Sequence, residues 1–354
     1  MWHHKARVGG IDLKLKTYLR DLVASGLFRS SLTDLKRLRN DRLYIATFHR
    51  VLPEKHRVTH PFSNLIVSPD ELFWFLSFFR RVFELGTLDG TLKQLRSGEP
   101  RKQPLMAVTF DDGQVDNYLH ALPVLEALGA KATFFVTTQA SSCQFPLWHD
   151  RIAYIVAGTD SSVINDLLLN HGFSQILPNE SRREYARRIV REAKPWSAAR
   201  LRGFLRDIDA LGMQHLYPSW DGLMTVENLR ELFRRGHEIG CHTESHMLLP
   251  NCSDEELRQE VFDSRQVLQE ELDAEISSFC FPSGAHDERT CAAVKRAGYR
   301  QAVVTRWGSN SLVDDPMALR RFDVTAANFS NRHGCLSEAR TAWNISSIAP
   351  QVLF

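Results

Sequence analysis

From Leu43 onward, short apolar runs alternate with stretches in which apolar side chains recur every three or four positions. The runs at 43–51, 105–110, 132–138, 237–242, 279–282, 301–305 and 321–325 read as about seven strands. The helix-period stretches fall around 69–83, 116–128, 225–235, 254–272 and 288–297. Ser253 and Asp254 offer an N-cap, while Gly129, Gly236 and Gly298 sit where a helix should stop. Such alternation predicts an α/β fold with a parallel sheet and crossover helices. The segment from about 139 to 220 breaks the rhythm, being longer than a normal crossover and rich in Arg and Leu. It is expected to be a mostly helical insertion into the 43–354 body rather than an independent core.

Ahead of the first strand, Leu15, Leu19, Leu22, Val23, Leu32, Leu35 and Leu38 recur at three- and four-residue spacings. Lys16, Arg20, Lys36, Arg37 and Arg39 lie between them. This pattern predicts one or two amphipathic helices, broken near Gly26. Residues 1–42 hold ten Lys/Arg against four Asp/Glu, leaving 34 against 38 for the rest. A basic helical arm of this kind either packs on the body or associates peripherally with an anionic membrane surface.

Over the whole chain the charge is only +2, so no global field marks a nucleic-acid binder. With 354 residues, 43% hydrophobic and 24% charged, disorder, collagen-like repeats and coiled coil are excluded. Six scattered cysteines form no CxxC pair and read as reduced thiols. No secretory signal pattern and no membrane-spanning apolar run is seen. A cytoplasmic protein is expected, residues 1–42 offering the inner face of the membrane as an alternative place.

The candidate chemistry sits at strand ends. The run LMAVTF stops at Asp111, Asp112 and Gly113, which places two carboxylates at the rim where parallel α/β folds build their sites. A second strand ends in CHTESH and delivers His242 and His246, whose spacing lets both imidazoles meet one ion if the segment turns helically. Imidazole plus carboxylate suits zinc or a similar divalent metal, and the spare carboxylate can serve as general base. This is not the zincin pattern, because Thr243 rather than glutamate follows the first histidine. The bland alternative is a pair of solvated loop ends, Asp-Gly being ordinary turn chemistry.

TFDDG (109–113), EIGCHT and HTESH (242–246) resemble the first two motifs of the NodB-type polysaccharide deacetylases, carbohydrate esterase family 4. The similarity runs through nearly the whole chain after residue 43. It implies a distorted (β/α)7 TIM-like barrel, with Asp111 as catalytic base and Asp112, His242 and His246 as ligands of one divalent metal. Zinc comes first, with cobalt, nickel and manganese also compatible. The implied reaction removes the N-acetyl group from an N-acetylhexosamine, in a surface polysaccharide or in its lipid- or nucleotide-linked precursor, and releases acetate.

FCFPSG (279–284) is similar to the FxYPYG element of the branch that makes partially deacetylated poly-N-acetylglucosamine. The resemblance implies that the Ser283 backbone N–H serves the oxyanion, with Pro282 and Gly284 beside it in substrate binding. The arginine usual at the start of this motif is absent, and Arg321 in LRRFDV is the candidate to orient the base or bind substrate. The late Leu-His motif has no counterpart, since His333 in NRHG matches poorly. ATFHRVLP instead resembles the YHRV element of the same, circularly permuted branch, which implies that His49 is the general acid. Trp148, His149 and Asp150 in PLWHD either resemble an element of related chains or simply anchor the insertion. Cys241 should point away from the metal by strand alternation. Two rival functions remain open: a catalytically silent glycan-binding protein, and an amidase acting on a non-acetyl or non-sugar amide.

Overall fold

A computed structural model describes residues 10–141 and 145–346. Cys143, residues 1–9 of the arm and residues 347–354 lie outside the described residues, as do the side chains of Leu15 and Lys16. The strands are β1 (Leu43–Phe48), β2 (Arg50–Val51), β3 (Ile66–Val67), β4 (Glu84–Gly86), β5 (Leu105–Phe110), β6 (Thr133–Val136), β7 (Glu238–Cys241), β8 (Ser278–Cys280), β9 (Gln301–Val303) and β10 (Phe322–Asp323). Seven follow one another side by side in the order β10-β1-β5-β6-β7-β8-β9, all parallel, with β4 added along the first half of β5. The chain entering β10 also bonds to β9, through Val304 N–H to the Leu319 carbonyl and Leu319 N–H to the Ala302 carbonyl, both at 2.9 Å. The sheet thereby curls round on itself as a distorted (β/α)7 barrel.

Every residue of β1 and β5 is buried, as expected for strands covered on both faces. Alternation along these strands divides the core in two. Leu43, Ile45, Leu105, Ala107, Cys280 and Val303 form the inner cluster, while Tyr44, Ala46, Phe48, Met106, Val108 and Phe110 face outward against the helices. The inner cluster is completed by Leu88, Leu92 and Leu95 of the helix Leu88–Ser97. Neither that helix nor β4 stands among the predicted elements. Two glycines, Gly86 and Gly90, interrupt the segment, although Leu88, Thr91, Leu92 and Leu95 carry a helical spacing and Thr87 caps the turn.

The predicted helices at 116–128 and 254–272 both form, but each contains a π turn, at Asn117–Ala121 and Gln259–Asp263. Gly129, Gly236 and Gly298 do end their helices, each with positive φ. The insertion is helical, with helices Trp148–Gly158, Ser162–Asn170, Arg182–Ala193 and Ala198–Ala210. Its buried residues Ile152, Ile189 and Phe204 belong to the same continuous cluster as the outer face of the barrel.

The N-terminal helix Gly10–Arg29 runs through Gly26 instead of breaking there; the chain turns at Ser31, where φ is 58°. A glycine inside a helix costs only about 1 kcal/mol, which packing offsets. The helix lies against Glu338–Ile345, with Ala24 buried and Asp21 accepting from the Arg332 backbone N–H. Tyr18, Leu19, Leu22 and Phe28 remain exposed. Among the described residues, no helix is long and apolar enough to cross a membrane.

Candidate metal centre and active-site pocket

Because the strands are parallel, their C-terminal ends gather at one rim of the barrel. His49 follows β1, Asp111 and Asp112 follow β5, His242 follows β7, Ser283 follows β8 and Asp323 closes β10. These six residues, with Arg321, line one cavity of about 340 Å³, near the small end of ligand clefts, roughly 300–1,000 Å³.

The turn after β5 places its two carboxylates differently. Asp112 and Gly113 both take positive φ, 76° and 74°. A Cβ on Gly113 would sit 3.0 Å from the Val136 Cα, so glycine is required at this close approach. Asp111 is held from below by Arg321, whose two terminal nitrogens each donate to one carboxylate oxygen at 2.7 Å. Burial pushes the Asp111 carboxyl up, yet the Arg321 guanidinium outweighs it and holds the group below the usual carboxylate range. Arg321 lines the cavity while its guanidinium is engaged by the Asp111 carboxylate, the Val304 carbonyl and the Cys280 sulfur. The Cys280 thiol donates to Asp111 at 3.5 Å.

Asp112 turns toward the histidines. Its Oδ1 lies 3.4 Å from His242 Nε2 and 3.3 Å from His246 Nε2. For metal–ligand bonds of about 2.0–2.1 Å, the edge of a ligand tetrahedron is about 3.3–3.4 Å, so the three donors fit one ion. His242 Nδ1 is bonded to the Cys280 carbonyl at 2.7 Å, which leaves Nε2 as the free donor nitrogen. His246 Nδ1 is buried without a hydrogen-bond partner among the described residues. The expected helical turn is absent. Thr243 and His246 have φ of 70° and 60°, and the loop is held by His246 N–H donating to Thr243 Oγ1 at 2.9 Å. The imidazoles converge through a strained turn, which Glu260 supports by accepting from the backbone N–H groups of Glu244 and Ser245, each at 3.0 Å.

Both π turns feed this frame: one carries Glu260, the other Asn117, whose amide donates to the His49 carbonyl at 2.8 Å. Of six non-glycine residues with positive φ among the described residues, Asp112, Thr243, His246 and Ser283 are at this rim. Such strain persists where surrounding structure enforces it.

His49 stands across the cavity, Nε2 3.9 Å from Asp111 and Nδ1 3.9 Å from Asp323 Oδ1. Asp323 is missing from the sequence-based site, although it lies two residues beyond Arg321 at a strand end. Ser283 has φ 53°, and its Oγ accepts from Lys194 Nζ at 3.2 Å. Pro282 and Gly284 flank Ser283 without lining the cavity: Pro282 is buried, and Gly284 packs so closely that a Cβ would lie 2.3 Å from Thr305 Oγ1. They shape the loop that presents Ser283. Cys241 points into the core, its sulfur 3.3 Å from Ser264 Oγ, as expected.

A second buried polar group stands beside the cavity. Arg50 reaches Asp116 at 2.5 Å, Asp221 at 2.6 Å and His60 at 3.1 Å. His60, Asp150 and Asp221 have donor atoms close enough for an ion, but the Arg50 guanidinium already supplies the cation among them. The WHD element joins both parts. Trp148 donates to the His246 carbonyl at 3.1 Å, the His149 ring packs on His246 with centroids 5.0 Å apart, and Asp150 faces Arg50. These residues do more than anchor the insertion.

The family model for polysaccharide deacetylases matches residues 98–193 and 205–302. A Bacillus subtilis (strain 168) protein that carries the name of a polysaccharide deacetylase, YxkH, is 21% identical over 232 residues, 66% of this chain and 56% of its own. A peptidoglycan-N-acetylglucosamine deacetylase of Bacillus cereus is 32% identical over 79 residues, 22% of this chain and 36% of its own. The chain thus spans about half or less of the length of these curated relatives. Among solved structures, Streptococcus pyogenes deacetylase PplD in complex with acetate has TM-score 0.54 and 18% identity, with 84% of this chain and 97% of that one covered. IcaB from Ammonifex degensii has TM-score 0.52 and 18% identity, with 81% and 93% covered. Both share the fold.

Proposed function

The chain belongs to the polysaccharide deacetylase family, and we propose that it is a metal-dependent carbohydrate N-deacetylase. Its substrate would be an N-acetylhexosamine in a surface polysaccharide or in the lipid- or nucleotide-linked precursor of one. The observation that carries this reading is the meeting, in one cavity, of an Asp112–His242–His246 donor set with an arginine-held Asp111 and with His49. A divalent ion on those three donors, zinc before cobalt, nickel or manganese, would polarise the amide carbonyl and acidify a water.

The remaining tasks fall to residues of the chain. Asp111, ionised through its pairing with Arg321, accepts the proton of the attacking water as the water oxygen bonds to the amide carbon. The Ser283 backbone N–H, presented by the strained loop after β8, donates to the carbonyl oxygen as it gains charge. His49 gives a proton to the nitrogen as the C–N bond breaks, with the Asp323 carboxylate 3.9 Å from its Nδ1 on the far side. The products are acetate and a free amino sugar.

The test combines metal content by mass spectrometry, before and after zinc reconstitution, with acetate release from a panel of N-acetylated sugars. About one equivalent of metal is expected, lost in His242→Ala. Asp111→Asn should keep the metal and lose at least about a hundredfold in turnover. An Asp111→Asn protein that turns over normally, or a parent chain that takes up no metal, refutes the reading.

A further inference from the structure

Lys194 lines the cavity, is charged and has no task in the mechanism above. Lys194 caps the C-terminus of the inserted helix Arg182–Ala193. Its carbonyl accepts from Asn251 Nδ2 at 3.1 Å, which ties it to the loop that follows His246. Its ammonium donates to Ser283 Oγ at 3.2 Å. Val190, one helical turn earlier, also lines the cavity, so the helix turns a single face to the site.

The other two cations of the cavity are matched, Arg321 by Asp111 and Arg50 by Asp116 and Asp221. Lys194 makes no ion pair among the described residues, although it is half-buried. Burial lowers its pKa, opposed by the Asp112 carboxylate, which already faces two histidines. Holding an ammonium in a partly dry pocket, without an ion pair of its own and with only an already engaged carboxylate acting on it, costs free energy that an arriving anionic group would offset.

We propose that Lys194 is a catalytic residue of this site, its ammonium donating a hydrogen bond to the amide oxygen as negative charge builds on it and then to the carboxylate of the departing acetate. The proposal rests on the N-deacetylase reading. Lys194 keeps its proton throughout and forms no covalent bond. Charge-assisted hydrogen bonds are about twice as strong as neutral ones, and one aimed where charge develops acts on the transition state. The insertion, absent from a minimal barrel, would thereby contribute to the chemistry as well as to the wall.

The experiment titrates sodium acetate into the zinc-reconstituted full chain and its Lys194→Met variant by calorimetry, with zinc measured on the same samples. The variant is expected to keep its zinc and bind acetate about tenfold more weakly or worse, while Lys194→Arg stays within a few-fold of the parent. Lys194→Gln provides a second neutral variant should the methionine protein not fold. A mere tether to Ser283 would lower the thermal midpoint and leave acetate affinity unchanged. Neutral variants that bind acetate as tightly as the parent, or a parent that binds none, overturn the proposal. A parent without zinc refutes the metal reading instead, on a separate readout.

Discussion

Replacing Arg321 by methionine removes the buried partner of Asp111, together with contacts to the Val304 carbonyl and the Cys280 sulfur, and the structure sets both sign and size of the effect on Asp111. In the parent, two guanidinium nitrogens lie 2.7 Å from the two Asp111 oxygens, and neither side chain is more than 3% exposed. Methionine would leave a buried carboxylate beside the Cys280 thiol, His49 and His242, with no guanidinium to pair it. Breaking a buried pair by removing one partner costs about 3–5 kcal/mol. The carboxylate can relieve part of this by taking up a proton, so its pKa rises in the variant, where burial is no longer opposed by the guanidinium.

The signs for the two proteins are opposite. In the parent the folded pKa is held down, so Asp111 contributes stability that is present above the unfolded value near 3.9 and lost as pH falls through the folded value. In the variant the folded value is raised, so stability is lost as pH rises from about 4 through that value. The gap is therefore smallest at the acid end and widens to about 3–5 kcal/mol near pH 7 to 8. Urea unfolding of chelator-treated parent and variant, in steps from about pH 4.5 to 8, measures it. A gap that is constant, or that narrows toward pH 8, would show that Arg321 does not govern the charge of Asp111.

His49→Gln should lower kcat by about 10²–10⁴-fold with zinc content unchanged, and Asp323→Asn by about tenfold, read as acetate release; equal losses from both would contradict the roles given to them. Burial, reinforced by Lys131, lowers His237 to about 4, so its contribution to stability is present above the ordinary value near 6.5 and lost as pH falls toward 4. His237→Gln should accordingly remove about 2 kcal/mol of acid sensitivity between about pH 7 and 5, seen by comparing thermal midpoints; an unchanged pH dependence would rule His237 out as its source. In Gly284→Ala the new Cβ would meet Thr305 Oγ1 at 2.3 Å and Thr305 N at 2.6 Å. That variant should lose about 1–3 kcal/mol of stability and most acetate release while keeping its metal, and full activity would show that the Ser283 loop need not be held as it is.

The seven strands of the ring were readable because buried parallel strands must be nearly continuous apolar runs, and β1 and β5 are such runs. Three-residue β4 and its following helix escaped, since short segments broken by Gly86 and Gly90 carry little periodic signal. The break assigned to Gly26 failed for the opposite reason: a glycine in a helix is a weak local penalty that contact with Glu338–Ile345 overrides. At the site, carboxylates and histidines at strand ends could be placed at the rim from the chain alone. Their convergence could not, because it depends on φ of 70° at Thr243 and 60° at His246 and on Glu260 from a distant π turn.

By itself the sequence determined a parallel α/β sheet with crossover helices and the ends of strands where acid and imidazole groups collect, since both follow from local alternation and from the geometry of parallel strands; the closure into a barrel was implied only by family resemblance. Tertiary structure alone decided that Arg321 pairs with Asp111 across 210 positions, that Asp323 faces His49 and that the insertion delivers Lys194 to Ser283. Each of those contacts joins residues far apart in the chain. Pairings of this kind are set by how the sheet curls and where the inserted helix packs, and no spacing along the sequence encodes them.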